Sequence, residues 1–299
     1  MTKGLLGLIA ALSVTAAVVT ASPCAGAEET GANHLGEARS AVEGSALPKE
    51  AKAGILKKAD RAAATGVPAE DISVIVSRGL HRGVAGGQIE GFLETAAGAK
   101  ERHLPVRLLL DRIEQGLAKG VPTDRIADVT QRLSGHLADA APIVDRLESR
   151  GMRATGKNGS DDAVETVARA LELSIPRDAV VKTGESVKER KGSLGLFNRA
   201  VDTMTTFVGD GMTREQAVNM VHRAVEKGYG ERDLAAMESY VADARRKNRP
   251  MSDVVSDMNS RMEQGEMYDT QMRDGMQGGA QQGPGSGGMG GMSGMGGRR

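Results

Sequence analysis

The chain has 299 residues, with 39 lysines and arginines balanced by 39 aspartates and glutamates, no tryptophan, three tyrosines and three phenylalanines. That balance argues against a nucleic-acid binder, which shows a basic excess and stacking aromatics, and the scarcity of aromatic faces weakens a sugar-binding reading. The single cysteine, Cys24, forms no disulfide framework within the chain.

Residues 1–27 read as a signal peptide. Lys3 is a short positive region, Gly4 to Val19 is uncharged and largely apolar, and Ala25-Gly26-Ala27 offers a small-x-small cleavage site before Glu28. The competing reading is an uncleaved membrane anchor, because Gly4 to Ser22 is uncharged throughout and spans need about 20 residues. The small residues and the cleavage site favour removal. Pro23, immediately before Cys24, argues against a lipoprotein site. Cleavage takes away Lys3, no acid and the only cysteine, leaving 38 basic against 39 acidic side chains. Thiol catalysis is then excluded, and the expected location is periplasmic or secreted.

Residues 28–48 are small and polar and predict a flexible leader. From Lys49 the pattern turns helical. Turn-type residues stand at Gly66, Gly83, His103 and Gly120, in steps of 17, 20 and 17. The same steps recur at Gly211, Gly228, Asn248 and Gly265. Between them run apolar stripes at spacings of three and four, such as Ile72, Ile75, Val76 and Leu80, or Val106, Leu109, Leu110, Ile113 and Leu117. Glycine at helix ends and proline at helix starts (Pro68, Pro105, Pro122, Pro176, Pro250) give each stripe its boundaries. Pro142 follows Pro105 by 37 residues and predicts a further helix start.

The expected fold is therefore all-α, with about twelve antiparallel helices in two α-solenoid-like repeat blocks. The first block spans 49–150 and the second 196–265. Residues 151–195 predict an irregular hinge with two helices, the first capped by Ser160. Thr213 with Gln216 predicts a capping box. The 37-residue helix pair falls between the tetratricopeptide and HEAT periods and carries neither signature. Residues 266–299, rich in Gly, Met and Gln, predict a disordered tail.

The sharpest motif is Met289-Gly290-Gly291-Met292-Ser293-Gly294-Met295. Thioethers are soft ligands that suit Cu(I), so Met289, Met292 and Met295 are candidate metal ligands. Over residues 289–295 the run resembles the methionine motifs of periplasmic copper-handling proteins, which implies a metal site. It resembles equally the Gly-Gly-Met tail of the bacterial chaperonin family, which implies a flexible tail. Gly151, Gly156 and Lys157 nearly match a phosphate-binding loop, but Asn158 stands where Ser or Thr should hold magnesium and residues 143–147 read as helix.

His34, His81, His103, His136 and His222 show no ligand spacing, and no serine-nucleophile motif occurs. His103 reads as a turn residue, since Asn248 holds its place in the second block. The functional expectation is a non-enzymatic, exported interaction scaffold that holds a protein partner in the cell envelope, without nucleic acid, and with a membrane only if residues 1–27 remain. The alternative is a Cu(I)-binding protein that uses the C-terminal tail.

Overall fold

The computed structural model describes residues 25–154 and 159–265, and among these the protein is all-helical, with twelve helices and no strand. They are α1 (Ala25–Gly44), α2 (Lys49–Ala64), α3 (Ala69–His81), α4 (Gly86–Glu101), α5 (Arg107–Lys119) and α6 (Thr123–Ser149). Then follow α7 (Gly159–Glu172), α8 (Arg177–Glu189), α9 (Leu194–Gly209), α10 (Arg214–Glu226), α11 (Glu231–Arg246) and α12 (Met251–Gln264).

One local device stops nearly every helix. A residue just past the end takes positive φ, and the residue after it returns its N–H to a carbonyl five positions back. Val67 donates to Ala62 at 3.0 Å, Val84 to Gly79 at 2.9 Å, Ile175 to Ala170 at 2.9 Å and Tyr229 to Ala224 at 3.0 Å. This is the Schellman arrangement, which satisfies the last free carbonyls of a helix. The closing residue is commonly apolar and buried, as at Val67, Leu104, Ile175, Met212 and Tyr229, so the cap also pins the turn to the core. The positive-φ positions in the second half are Ser174, Lys191, Gly211, Gly228, Asn248 and Gly265. Their steps are 17, 20, 17, 20 and 17, so the rhythm runs unbroken from α7 to the end of α12.

Packing follows a next-but-one rule as well as a neighbour rule. α1 lies on α3, α2 on α4, α3 on α5 and α4 on α6; farther along, α7 lies on α9, α8 on α10, α9 on α11 and α10 on α12. The buried apolar residues form one cluster from Ala38 to Met262. All three phenylalanines (Phe92, Phe197 and Phe207) are in it. Burying a side chain of this size contributes about 1.5–3 kcal/mol, which matters in a chain with no disulfide to lean on.

Arginines at helix C-caps link each helix to the next but one. Arg82, after α3, donates to the Ala118 carbonyl near the end of α5 at 2.5 Å. Arg102, after α4, donates to Ser134 in α6 at 2.6 Å. Arg150, after α6, reaches Glu185 in α8 at 3.4 Å, and Arg190, after α8, donates to the Glu226 carbonyl at the end of α10. A cation suits that place, because helix C-termini carry partial negative charge.

Four sequence expectations need correction. Residues 28–48 are not a flexible leader: α1 covers most of them, with Ala38 and Val42 fully buried and Arg39 bonded to Asp60 at 2.7 Å. Leu35, Ala38 and Val42 recur at helical spacing, too sparsely among small residues to stand out. Pro142 starts no helix; it lies on the exposed side of α6. Asp139-Ala140-Ala141 before it supplies no positive-φ residue, and water can serve the carbonyl that a proline leaves free. Helix count thus agrees with expectation only because α1 replaces the helix that Pro142 failed to open.

Nor does the described part of 151–195 form an irregular hinge. α7 packs on α6 and α9, α8 packs on α9 and α10, and Val167, Ala168, Val180 and Val187 join the common core. Ser160 lies within α7 and donates to Glu148 at 2.5 Å, a link to α6 in place of the expected cap. The capping box of Thr213 and Gln216 is present, with bonds of 3.0 and 3.2 Å. Residues 1–24, most of the signal segment, lie outside the described residues, as do 155–158 and the tail from 266.

Candidate ligand-binding cleft

α8, α10 and α12 begin at Arg177, Arg214 and Met251, each 37 residues after the last. Equal register places Lys182 and Asn219 at one helical position, and Glu185, His222 and Asn259 at another. Where these helices lie side by side, a cleft of about 420 Å³ opens. Its polar wall holds Lys182, Gln216, Asn219, His222, Arg223 and Asn259, with Met220 and Val255 as apolar surface and Glu226 as the only acid. This size suits a small ligand or a few residues of a chain.

His222 is the unusual member. It is 7% exposed, and its Nε2 is buried with no hydrogen-bond partner. Burial is the main force that holds its pKa below the ordinary value; the charge of Lys182 adds to this and that of Glu226 opposes it. The ring is consequently neutral at pH 7, with one nitrogen able to donate and the other to accept. An unpaired buried polar atom costs about 1–3 kcal/mol, so this position is not explained by packing alone.

Arg223 is already engaged. It donates to Asn259 at 3.0 Å and lies 3.6 Å from Glu263. Lys182 is exposed and makes no ion pair with any described residue. The cleft therefore offers one unpaired ammonium, a neutral imidazole, and side-chain amides whose N–H groups donate, the oxygens of Gln216 and Asn259 already accepting from Thr213 and Arg223.

The equivalent place in the first half is chemically different. A shift of 108 residues carries Gly120 onto Gly228, both at positive φ. The same shift carries Val74, Asp111 and Glu114 onto Lys182, Asn219 and His222. Around Asp111 the charges repel. Burial first and neighbouring acids next raise the pKa of Asp71, and burial with Asp71 does the same to Glu114, against the pull of Arg78. The ammonium of Lys182 and the uncharged polar groups of Asn219 and His222 thus belong to the second half and are not required by the repeat.

Glu165 in α7, a carboxylate only 2% exposed, works as a joint. It accepts from Arg107 at 2.5 Å and from the Leu108 backbone at 3.3 Å, at the positive N-terminus of α5. A shallower apolar groove of about 180 Å³ lies between α5 and α6, rimmed by Arg112, Lys119 and Arg125.

Met289, Met292 and Met295, the residues singled out for metal binding, lie outside the described residues. Among the described residues no group of three or more His, Cys, Asp or Glu is placed to hold a metal ion, and no helix is long and apolar enough to cross a membrane. The near phosphate loop is only partly described; the segment before it, 143–147, is in α6. His103 has φ 57° at its turn, the role its spacing suggested. His222 showed in the sequence only as a histidine without ligand spacing, because its partners on the neighbouring helices, Lys182 and Asn259, lie 40 and 37 residues away. Aligning Lys182 with Asn219, and His222 with Asn259, is the signal that would have found them.

No protein-family model, curated protein or solved structure matches the chain.

Proposed function

We propose that this protein is a non-enzymatic interaction scaffold, exported to the cell envelope, which holds a protein partner without transforming it. The observation that carries the reading is the 37-residue register of α8, α10 and α12, which supports a surface built from equivalent positions of alternate helices. Stacked repeats of this kind act through extended faces. Fold by itself names no partner.

Capture from envelope extracts with the full chain is the test. A stoichiometric partner that survives cross-linking and washing is the expected result. No partner, together with turnover found in an activity screen, would replace the scaffold with an enzyme. N-terminal sequencing of material from the native host is expected to begin near Glu28, and intact Met1 in soluble cytoplasm would remove the export claim. An open solenoid predicts a radius of gyration well above the roughly 19 Å of a compact chain of this length.

A second reading rests on the run from Met289 to Met295, with Cu(I) as the soft ion three thioethers would take. Replacing Met289, Met292 and Met295 by leucine keeps the apolar bulk and removes the sulfur. Loss of one equivalent of copper in an anaerobic titration against a competing chelator supports that reading, and equal uptake by both tails ends it.

A further inference from the structure

We propose that the cleft between α8, α10 and α12 is a binding site for a carboxylate, with the Lys182 ammonium as its charge partner and His222, Gln216 and Asn219 as its polar contacts. The proposal rests on the scaffold reading and gives its surface and ligand chemistry.

Charge selects the class of ligand. The wall carries Lys182, Arg223 and Glu226, and Glu263 beside Arg223 brings these charges into balance. Arg223 is held by Asn259 and Glu263, so Lys182 supplies the free charge. A monoanion supplies the ion-pair partner that Lys182 lacks among the described residues. A phosphate dianion would leave a surplus negative charge beside Glu226, and like charges in a partly desolvated cleft repel strongly. Cations are disfavoured by Lys182 and Arg223 together.

The neutral groups agree with that choice. The imidazole of His222 is buried with an unpartnered nitrogen, and buried polar atoms in folded proteins nearly always have a partner. Gln216 and Asn219 lie one helical turn apart on α10, and each side-chain amide pairs with a carboxylate oxygen or with a peptide group. In the first half, Val74, Asp111 and Glu114 hold the corresponding positions. The repeat therefore folds without this chemistry, and nothing in helix stacking demands Lys182, Asn219 and His222.

Two sources present a carboxylate: an Asp or Glu side chain of an extended peptide, and a free small acid. The test follows the imidazole C–H resonance of His222 in the full chain, assigned through its loss in His222→Gln. The titrants are N-acetyl-glycyl-glutamyl-glycinamide, its glutamine counterpart, and propionate. Saturable movement of the resonance with the glutamyl peptide is expected, with binding at least about tenfold weaker for the glutamine peptide. Lys182→Met, a change at an exposed helical position with little effect on helix propensity, is expected to weaken the glutamyl peptide by about tenfold or more at unchanged helicity.

Tighter binding of the peptide than of propionate supports a protein segment as the source, and equal binding supports a free acid; both keep the carboxylate site. No saturable shift, equal affinity for the glutamyl and glutaminyl peptides, or an unaffected Lys182→Met variant overturns it. Partner capture separates this failure from that of the scaffold. A partner still held equally by the wild type and Lys182→Met would leave the scaffold standing on another surface. A saturable cleft in a chain that captures nothing would leave the site and remove the scaffold.

Discussion

The guanidinium of Arg82 covers Gly120. Its Nη2 donates to the Ala118 carbonyl at 2.5 Å, and a β-carbon on Gly120 would stand 3.0 Å from its Nη1. Arg190 repeats the arrangement 108 residues later, donating to the Glu226 carbonyl above Gly228. Gly120 has φ 68° and Gly228 φ 90°. One residue type thus answers two demands at each place: a left-handed turn and room for a cation that joins two helices.

Gly120→Ala is expected to destabilise the protein by about 1–2 kcal/mol, since the αL conformation opposes a β-carbon and Arg82 must also give way. Arg82→Ala alone should cost about 0.5–1.5 kcal/mol, the range for an ordinary hydrogen bond. Because the two residues touch, the costs should not add. Urea unfolding of the singles and the double variant measures the coupling, and full additivity would refute the shared role.

Gly116 faces a different neighbour. A β-carbon there would lie 2.7 Å from Cγ1 of Ile126, and one on Gly79 would lie 3.0 Å from Ile89, the same ten-residue relation one repeat earlier. Gly116→Ala is expected to cost about 1–3 kcal/mol through overpacking. Ile126→Ala costs stability by itself, yet adding Gly116→Ala to it should cost much less than adding it to the wild type. A thermal melt of each variant decides this.

Ser174 and Lys191 sit at φ 59° and 58°, where the other turns mostly have glycine. A side chain in the αL region costs about 1–2 kcal/mol, and glycine gives back part of that gain through its freedom in the unfolded chain. Ser174→Gly and Lys191→Gly should therefore each stabilise the fold by about 0.5–1 kcal/mol by those same two terms. A lower melting temperature in either variant would contradict the turn assignment.

His222 makes stability depend on pH. Its folded pKa is lowered, by burial first and then by Lys182 on α8, with Glu226 acting the other way. α10 also brings Arg223 to the cleft, and α12 brings the uncharged Val255 and Asn259 to its wall and the Glu263 carboxylate to Arg223. Below about pH 6.5, the ordinary value for histidine, the unfolded chain takes up a proton that the folded one resists. Stability is accordingly lost as pH falls through that value, until His222 itself protonates. His222→Gln should flatten this part of the curve in denaturant titrations between about pH 7.5 and 5.5, and an unchanged slope would show the ring to be solvated.

What the sequence revealed depended on residue type more than on structure. Gly66, Gly83, Gly120, Gly211 and Gly228 advertised their turns, whereas Ser174 and Lys191 take the same backbone conformation without a residue that signals it. The middle of the chain looked irregular partly for that reason, and partly because Lys182 to Gly195 is polar and punctuated by Gly184 and Gly192. Pro142 misled in the opposite way, because a proline on the wet side of a helix can be tolerated where no turn residue precedes it. The cleft stayed hidden because its members come from three helices, and only their shared 37-residue register, not any local motif, brings Lys182 and His222 together.

The uninterrupted α6 has a consequence for sidedness. Before it, the 13-residue helices α3 and α5 lie on one stack and the 16-residue α2 and α4 on the other. By running through Pro142 where the rhythm called for a turn, α6 drops one reversal. Beyond it the 13-residue α8 and α10 continue the stack of α2 and α4, and the 16-residue α9 and α11 follow α7. It acts as a phase slip: positions related by the 108-residue shift are carried from one stack to the other. Asp111 and Glu114 consequently do not share a stack with their counterparts Asn219 and His222, so a ligand that follows one row of helices meets either the acidic register or the uncharged one.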